Sequence, residues 1–181
     1  ILDVQLTNGV EVATLTAVVG HPRFGRVLFF DPTDPLTPFG RLAGPLQANY
    51  GLLVAPDGGE LLPLPQLPAD LNAIQRTAKL TLDDKGTLRG DIHEIWTGDM
   101  AAHQRYDLRS VTKETDQIKS VESLLSHSMT TFQILNAAVR NLPSIELPLE
   151  WNYSIQADLY AKATGSLLLV RPRVIGSKSS G

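Results

Sequence analysis

The chain has 181 residues, of which 43% are hydrophobic, with a formal net charge of -3 and no cysteine. This composition supports a packed core and provides no basic face for nucleic acid. It also excludes a thiol nucleophile, a disulfide framework and a cysteine-ligated metal within these residues, and no apolar run approaches the roughly 20 residues of a membrane span.

The first 55 residues are predicted to be mainly β-strand. Their apolar and polar residues alternate or are β-branched, and Asn8-Gly9 is a hairpin signal because both residues tolerate positive φ. A turn bounded by Gly20 and Gly25 separates two of the segments. Strands are expected at 1–6, within 10–19, at 26–30 and at 50–54.

Residues 56–72 change in character. Pro63, Pro65 and Pro68 alternate with leucines after an Asp57-Gly58-Gly59 turn. Prolines at this spacing favour an extended, partly rigid connector, so we place a domain boundary here.

A second unit is predicted over 73–181, with the order strand, strand, helix, helix, strand, strand. Residues 74–82 and 87–96 alternate as two strands around a hairpin loop at 83–86. A helix is expected at 99–108, and a second, capped by Thr112 or Thr115, is expected to run to about Ser126. Its apolar stripe has helical spacing and consists of Ile118, Val121, Leu124 and Leu125.

Further strands are predicted at 131–139 and 147–157, a buried one at 167–170, and a tail from Arg171 onwards that ends in a Ser/Gly segment at 176–181. This order indicates an α+β fold that is mainly antiparallel β, with the helices on one face of the sheet. The predicted parts are therefore 1–55, the connector 56–72, and the antiparallel sheet with one or two helices at 73–181.

The most distinctive stretch is the acidic loop after the strand at 26–30. Asp31 and Asp34 lie among three prolines, which fix φ and stiffen the loop. The pattern alone favours both acids as turn caps. A calcium loop would need more oxygen ligands in phase, and a phosphoryl-aspartate site would need a second acid at Thr33.

The four histidines, at positions 21, 93, 103 and 127, show no metal-ligand spacing, and no metal or cofactor is expected. His93 lies in a predicted strand, where alternation turns it toward solvent or a shallow groove. Trp96, Trp151 and Tyr153 also lie in predicted strands, and core packing is expected for them rather than ligand stacking.

The acidic loop also carries a resemblance. Phe29-Phe30-Asp31-Pro32-Thr33-Asp34, then Thr37-Pro38-Phe39-Gly40 and Gln47-Ala48-Asn49-Tyr50-Gly51, resemble the end of a bacterial transglutaminase-like domain of the papain-like superfamily. The resemblance covers about 1–54, and the hairpin at 74–96 is similar to the start of the β-rich domain that follows in such proteins. It implies that residues 1–55 are the last strands of a papain-like core.

Members of this family use a Cys-His-Asp triad, and the Asp-x-Thr pattern places the triad acid at Asp31. The chain has no cysteine, and His21 lies in a turn rather than on the preceding strand, so these residues are expected to be inactive alone. The resemblance makes the chain a non-catalytic, accessory or interaction portion of a longer protein. It also implies a periplasmic or secreted location.

The expected partners are the missing N-terminal part of its own chain, a peptide or another protein, or a second copy that pairs through open strand edges; nucleic acid and a membrane span are not expected. An alternative that needs no parent protein is a free-standing β-rich module that binds a peptide or a glycan. The two hypotheses differ in one observable. A fragment of a larger core leaves apolar residues before Val54 exposed, whereas a complete module buries them.

Overall fold

The computed structural model describes residues 18–171 and 174–175, and these form the predicted α+β fold, in which every strand pair is antiparallel. The chain divides into two units. Unit 1 comprises residues 1–73 with 97–102, and unit 2 comprises 74–96 with 103–181. The strand predicted at 1–6, the Asn8-Gly9 hairpin and the Ser/Gly tail lie outside the described residues.

Unit 1 contains two separate hairpins. Strands β1 (Val18–His21) and β2 (Gly25–Leu28) form one, and β3 (Tyr50–Ala55) and β4 (Gly58–Pro63) form the other. Short 3-10 turns follow each hairpin, at Gly44–Leu46 and Ala69–Leu71. The predicted strand at 26–30 is shorter than expected, because β2 ends at Leu28 and the following phenylalanines already belong to the loop.

The predicted connector over 56–72 is wrong in its first half, where residues 58–63 form β4. The turn Pro56-Asp57 joins β3 to β4, with Ala55 opposite Gly58. Gly58 has φ 138, a value that glycine adopts without strain. Pro63 is the last residue of the strand, a position where proline is compatible with a ladder.

Unit 2 is built on a four-stranded sheet with the order β5-β6-β8-β7. Its strands are β5 (Ile74–Leu82), β6 (Leu88–Trp96), β7 (Gln133–Arg140) and β8 (Leu149–Ala157). Helices α1 (Gly98–Leu108) and α2 (Glu114–Ser126) lie between β6 and β7 in the chain, so the predicted order of strands and helices is confirmed.

The predicted hairpin loop at 83–86 joins β5 to β6. The Asp83 carboxylate accepts hydrogen bonds from the backbone N–H groups of Lys85 and Thr87, at 3.0 and 2.9 Å. Gly86 has φ 81, and a Cβ there would lie 2.3 Å from the carbonyl oxygen of Ala161. Glycine is therefore required at this position both because φ is positive and because there is no room for a Cβ.

The core of unit 2 lies on one face of the sheet. Alternate residues of β6 and β8 are buried and pack against residues of the two helices, as the predicted α2 stripe requires. Trp151 and Tyr153 are part of this core, which confirms their predicted packing role. The buried residues are Leu88, Ile92, Leu108, Val121, Leu125, Met129, Trp151, Tyr153, Ile155 and Ala157.

Two local predictions in unit 2 are corrected. Helix α2 has Lys113 at its N-cap, without a side-chain hydrogen bond, so neither Thr112 nor Thr115 occupies the cap position. The strand predicted as buried at 167–170 is β10 (Leu167–Leu169), which pairs with β9 (Lys162–Thr164) in a two-stranded sheet. An isolated two-stranded hairpin buries neither face of its strands, and Leu167 and Leu169 are exposed.

Candidate functional sites

Asp31 lies in the loop after β2, three residues beyond the end of the strand. Its Oδ1 accepts hydrogen bonds from the Thr33 hydroxyl at 2.6 Å and the Thr33 backbone N–H at 2.8 Å. These bonds, the hydroxyl first, lower the pKa of Asp31 below its ordinary value, because they favour the ionised form. The carboxylate is therefore ionised and held in one orientation by its own loop.

Asp34 is held in the same way by residues that follow it. Its carboxylate accepts hydrogen bonds from the Leu36 backbone N–H at 2.9 Å and the Thr37 hydroxyl at 2.6 Å. The Phe30 and Phe39 rings lie 5.2 Å apart across the loop. Both acids thus cap turns in a loop that its own side chains stiffen.

His21, expected in a turn, is instead the last residue of β1, and it is a buried structural residue of unit 1. Its Nδ1 accepts hydrogen bonds from the backbone N–H groups of Arg23 and Phe24, at 3.1 and 3.2 Å. The proton therefore resides on Nε2, which donates to Glu60 in β4 at 2.9 Å. Both ring nitrogens are used, so His21 ties the two hairpins together and has no lone pair to offer a thiol.

The β3–β4 hairpin exposes one apolar face. Alternate residues of β3 are 68% (Tyr50), 62% (Leu52) and 61% (Val54) exposed, and Leu61, opposite Leu52 in β4, is 66% exposed. We call these four side chains the apolar hairpin face. An exposed cluster of this kind in a soluble protein marks a surface that another element covers.

A buried carboxylate lies in the core of unit 2. Glu94 in β6 is 1% exposed and accepts three hydrogen bonds. Arg76 Nε at 2.6 Å and the Tyr153 hydroxyl at 2.5 Å donate to Oε1, and Trp96 Nε1 donates to Oε2 at 2.7 Å. Burial, with the neighbouring Glu94, raises the pKa of Tyr153. Because the Glu94 carboxylate is paired with Arg76 and accepts from Tyr153 and Trp96, this network stabilises the sheet and leaves no free carboxylate for chemistry.

The face of the four-stranded sheet opposite the core is polar and open. Two adjacent rungs cross all four strands there, and we call their eight residues the polar trough. One rung is Thr77, His93, Asn152 and Ala138, and the other is Lys79, Asp91, Ser154 and Asn136. The trough encloses a shallow depression of about 390 Å³.

The depression follows from side-chain size. The trough residues are short, apart from Lys79 and His93. The rungs on either side carry longer side chains, apart from Thr81: Gln75, Ile95, Glu150 and Arg140 on one side, and Thr81, Arg89, Gln156 and Gln133 on the other. Side chains stand roughly perpendicular to a sheet, so short rungs between long ones leave a channel that runs across the strands.

Hydrogen bonds organise the centre of the trough. The Asn152 Oδ1 can only accept, so the His93 Nδ1–H donates to it at 2.8 Å, and in the neutral imidazole Nε2 is the acceptor nitrogen. Beside this pair, the Ser154 hydroxyl donates to Asp91 Oδ1 at 2.7 Å. The trough therefore presents an acceptor on His93 and donors on Asn152. His93 lies at a shallow groove, one of the two positions that strand alternation predicted for it.

The remaining histidines offer no shared site. His103 is exposed on α1, and the Nδ1 of His127 donates to the Ser123 carbonyl oxygen at 2.6 Å. Within residues 18–171 and 174–175, no three histidine, aspartate or glutamate side chains are grouped so that they could hold a metal ion.

The sequence analysis singled out His21 and His93 but not their partners. Glu60 and Asn152 bind histidines 39 and 59 residues away, a pairing that depends on strand register. Glu94 had a local signal, since it occupies the same strand parity as the buried Leu88 and Ile92.

Comparisons of the chain with protein families, curated proteins and solved structures give no match. Neither α1 nor α2 has the length and hydropathy needed to cross a bilayer, and no other helix in the described part of the chain does. The class that the geometry defines is an α+β protein with a small hairpin unit and a sheet-and-helix unit.

Proposed function

We propose that the chain is the non-catalytic C-terminal portion of a transglutaminase-like protein. In this proposal unit 1 contributes the last strands of the transglutaminase-like core, and unit 2 is an accessory or interaction domain. The proposal includes a periplasmic or secreted location, which follows from the resemblance alone.

The apolar hairpin face is the observation that carries this proposal. A two-stranded hairpin is marginal by itself. Fully burying one leucine or valine stabilises a fold by about 1.5–3 kcal/mol. Covering the four large exposed side chains of this face would therefore add several kcal/mol of stability. The occupant we assign to this face is the remainder of the transglutaminase-like core, since Tyr50, Leu52 and Val54 lie in the segment that resembles its end.

The geometry of Asp31 is compatible with the role that the resemblance gives it. In a Cys-His-Asp triad the acid fixes the tautomer of the histidine, so that the other ring nitrogen can take the thiol proton. Thr33 holds the Asp31 carboxylate ionised and oriented, which suits an acceptor for an imidazole N–H. The 181 residues contain no cysteine, so the proposal assigns no catalytic step to them.

The coding sequence adjoining this chain tests the class. The proposal expects a cysteine at a helix start, followed by a histidine on a strand, ahead of Ile1 in the same reading frame. A reading frame without that pair removes the transglutaminase-like assignment.

Dye binding tests the apolar hairpin face in the chain itself. The full chain should increase the fluorescence of an apolar-surface dye, and the double variant Leu52→Ser/Leu61→Ser should reduce that signal. Leu159→Ser is the matched control, because Leu159 is exposed in unit 2 and lies outside the apolar hairpin face. Equal signals from the two variants would mean that the apolar hairpin face is already covered.

The alternative function is a free-standing binding module for a peptide or a glycan. The open polar trough favours it, because the trough is a recognition surface that needs no other protein.

A further inference from the structure

The polar trough has a composition suited to an uncharged ligand. Its only formal charges are those of Lys79 and Asp91, which are opposite in sign and occupy facing register positions on β5 and β6. The other positions offer hydroxyl, amide and imidazole groups. Hydroxyls and amides of a ligand each donate and accept, and the trough supplies both kinds of partner side by side.

The direction of the trough distinguishes between two kinds of ligand. An extended peptide gains its affinity from main-chain hydrogen bonds to an open strand edge. The trough instead runs across the strands, and over its two central strands, β6 and β8, the backbone is paired on both sides. Recognition there depends on side chains alone, which favours a ligand that carries its own array of hydroxyl groups.

We infer that the polar trough of unit 2 binds a short, neutral glycan segment. The His93 Nε2 accepts a hydrogen bond from a sugar hydroxyl, and the Asn152 amide donates one to a hydroxyl or acetamido oxygen. Thr77 and Asn136 extend the contacts toward the two edges of the sheet. This inference deepens the alternative function, on which it rests, by naming the ligand class of the polar trough, and it does not depend on a transglutaminase-like core.

The trough floor contains no aromatic side chain in a position to stack on a sugar ring, because the Tyr153 hydroxyl is turned to Glu94 on the core side. Binding through hydrogen bonds alone replaces hydrogen bonds to water by hydrogen bonds to the ligand, and the net gain is small. We therefore expect a Kd on the order of 1 mM.

Titration of the full, isotope-labelled chain with neutral disaccharides, one built from glucose and one from N-acetylglucosamine, tests the inference by NMR. The inference expects saturable shifts in the amide signals of β6 and β8 around His93 and Asn152. A neutral peptide with serine and threonine at alternate positions is the competing probe.

Variants connect the signal to the trough. Asn152→Ala removes the amide donors and releases His93, so the Kd should rise roughly threefold to tenfold or more. Thr77→Val is a second, nearly isosteric variant on the exposed edge strand and should weaken binding without affecting folding. Asn49→Ala, which removes the same side chain in unit 1, is the matched control and should leave the Kd unchanged.

Three outcomes would overturn the inference. The first is the absence of saturable shifts with either sugar at concentrations about tenfold above the expected Kd. The second is sugar binding that both trough variants leave unchanged. The third is peptide binding at the outer edge of β5 without sugar binding, which would make the edge the recognition surface. None of these bears on the dye-binding test of unit 1, so the two proposals fail separately.

Discussion

Removal of the cation that pairs with the buried carboxylate of unit 2 should strongly destabilise the sheet. In Arg76→Met the side chain keeps an apolar stem that reaches about as far as Nε and loses the guanidinium, whose Nε lies 2.6 Å from Glu94. Loss of one partner from a buried ion pair costs about 3–5 kcal/mol, because the other charge stays buried. The hydrogen bonds from Tyr153 and Trp96 remain, and Arg76 is partly exposed, so we expect a loss near 3 kcal/mol.

Denaturant unfolding followed by tryptophan fluorescence measures this loss. Both tryptophans of the chain lie in strands of the four-stranded sheet, so the signal reports on unit 2. The midpoint should fall while the slope of the free energy of unfolding against denaturant stays constant. Arg89→Met is the matched control on the open face of β6 and should change stability by less than about 0.5 kcal/mol.

A double variant distinguishes the buried charge from lost packing. Replacing a buried ion pair by apolar residues of similar size is often neutral or stabilising, so Arg76→Met/Glu94→Leu should recover most of the loss. The reasoning is refuted if Arg76→Met is no worse than Arg89→Met. It is also refuted if the double variant is no more stable than Arg76→Met alone.

Three further predictions concern a pH dependence, a turn and the acidic loop. The buried Tyr153 has a pKa raised above its ordinary value of 10.0. Its contribution to the free energy of unfolding is therefore complete below pH 10 and declines above it by about 1.4 kcal/mol per pH unit. Tyr153→Phe should flatten this decline in denaturation curves. Gly86→Ala should destabilise unit 2 by more than about 1 kcal/mol, and more than Gly165→Ala, which has a similar φ but open space around it. Thr33→Val should raise the pKa of Asp31 toward its ordinary value in a carbon-13 titration.

Each of these predictions has a control and a contrary result. Tyr106→Phe changes an exposed tyrosine and should keep the alkaline decline of the wild type; a decline that persists equally in Tyr153→Phe would exclude the assignment. If Gly86→Ala and Gly165→Ala lose equal stability, the loss comes from positive φ alone, and the predicted clash with Ala161 is contradicted. Thr37→Val, which contacts Asp34, should leave the Asp31 titration unchanged, and the same result in Thr33→Val would contradict the loop geometry.

The second unit was predictable because its signals are local and periodic. Alternation over nine residues in β5 and β6, the 83–86 loop and the α2 stripe each determine one element without reference to a distant one. The β-bulge between Ile134 and Asn136 was not predictable, because it appears only as a register shift against β8.

The proline-rich segment shows where local reasoning failed. Proline at position 63 looks like the interior of a connector in sequence, but it ends a strand whose partner lies before the turn. For Asp31, the Thr33 contacts follow from a spacing of two residues and were implicit in the turn-cap interpretation. A histidine partner for Asp31 would be a contact between distant residues, which the Asp-x-Thr pattern cannot specify.

The four-stranded sheet separates its two faces: the helices and the Glu94 network lie on one side, and the trough side chains lie on the other. Substitutions in the eight trough positions therefore leave the core contacts of the opposite face untouched. Such a surface can acquire a new binding preference without loss of foldability, and a library randomised at these positions would consist mostly of well-folded members.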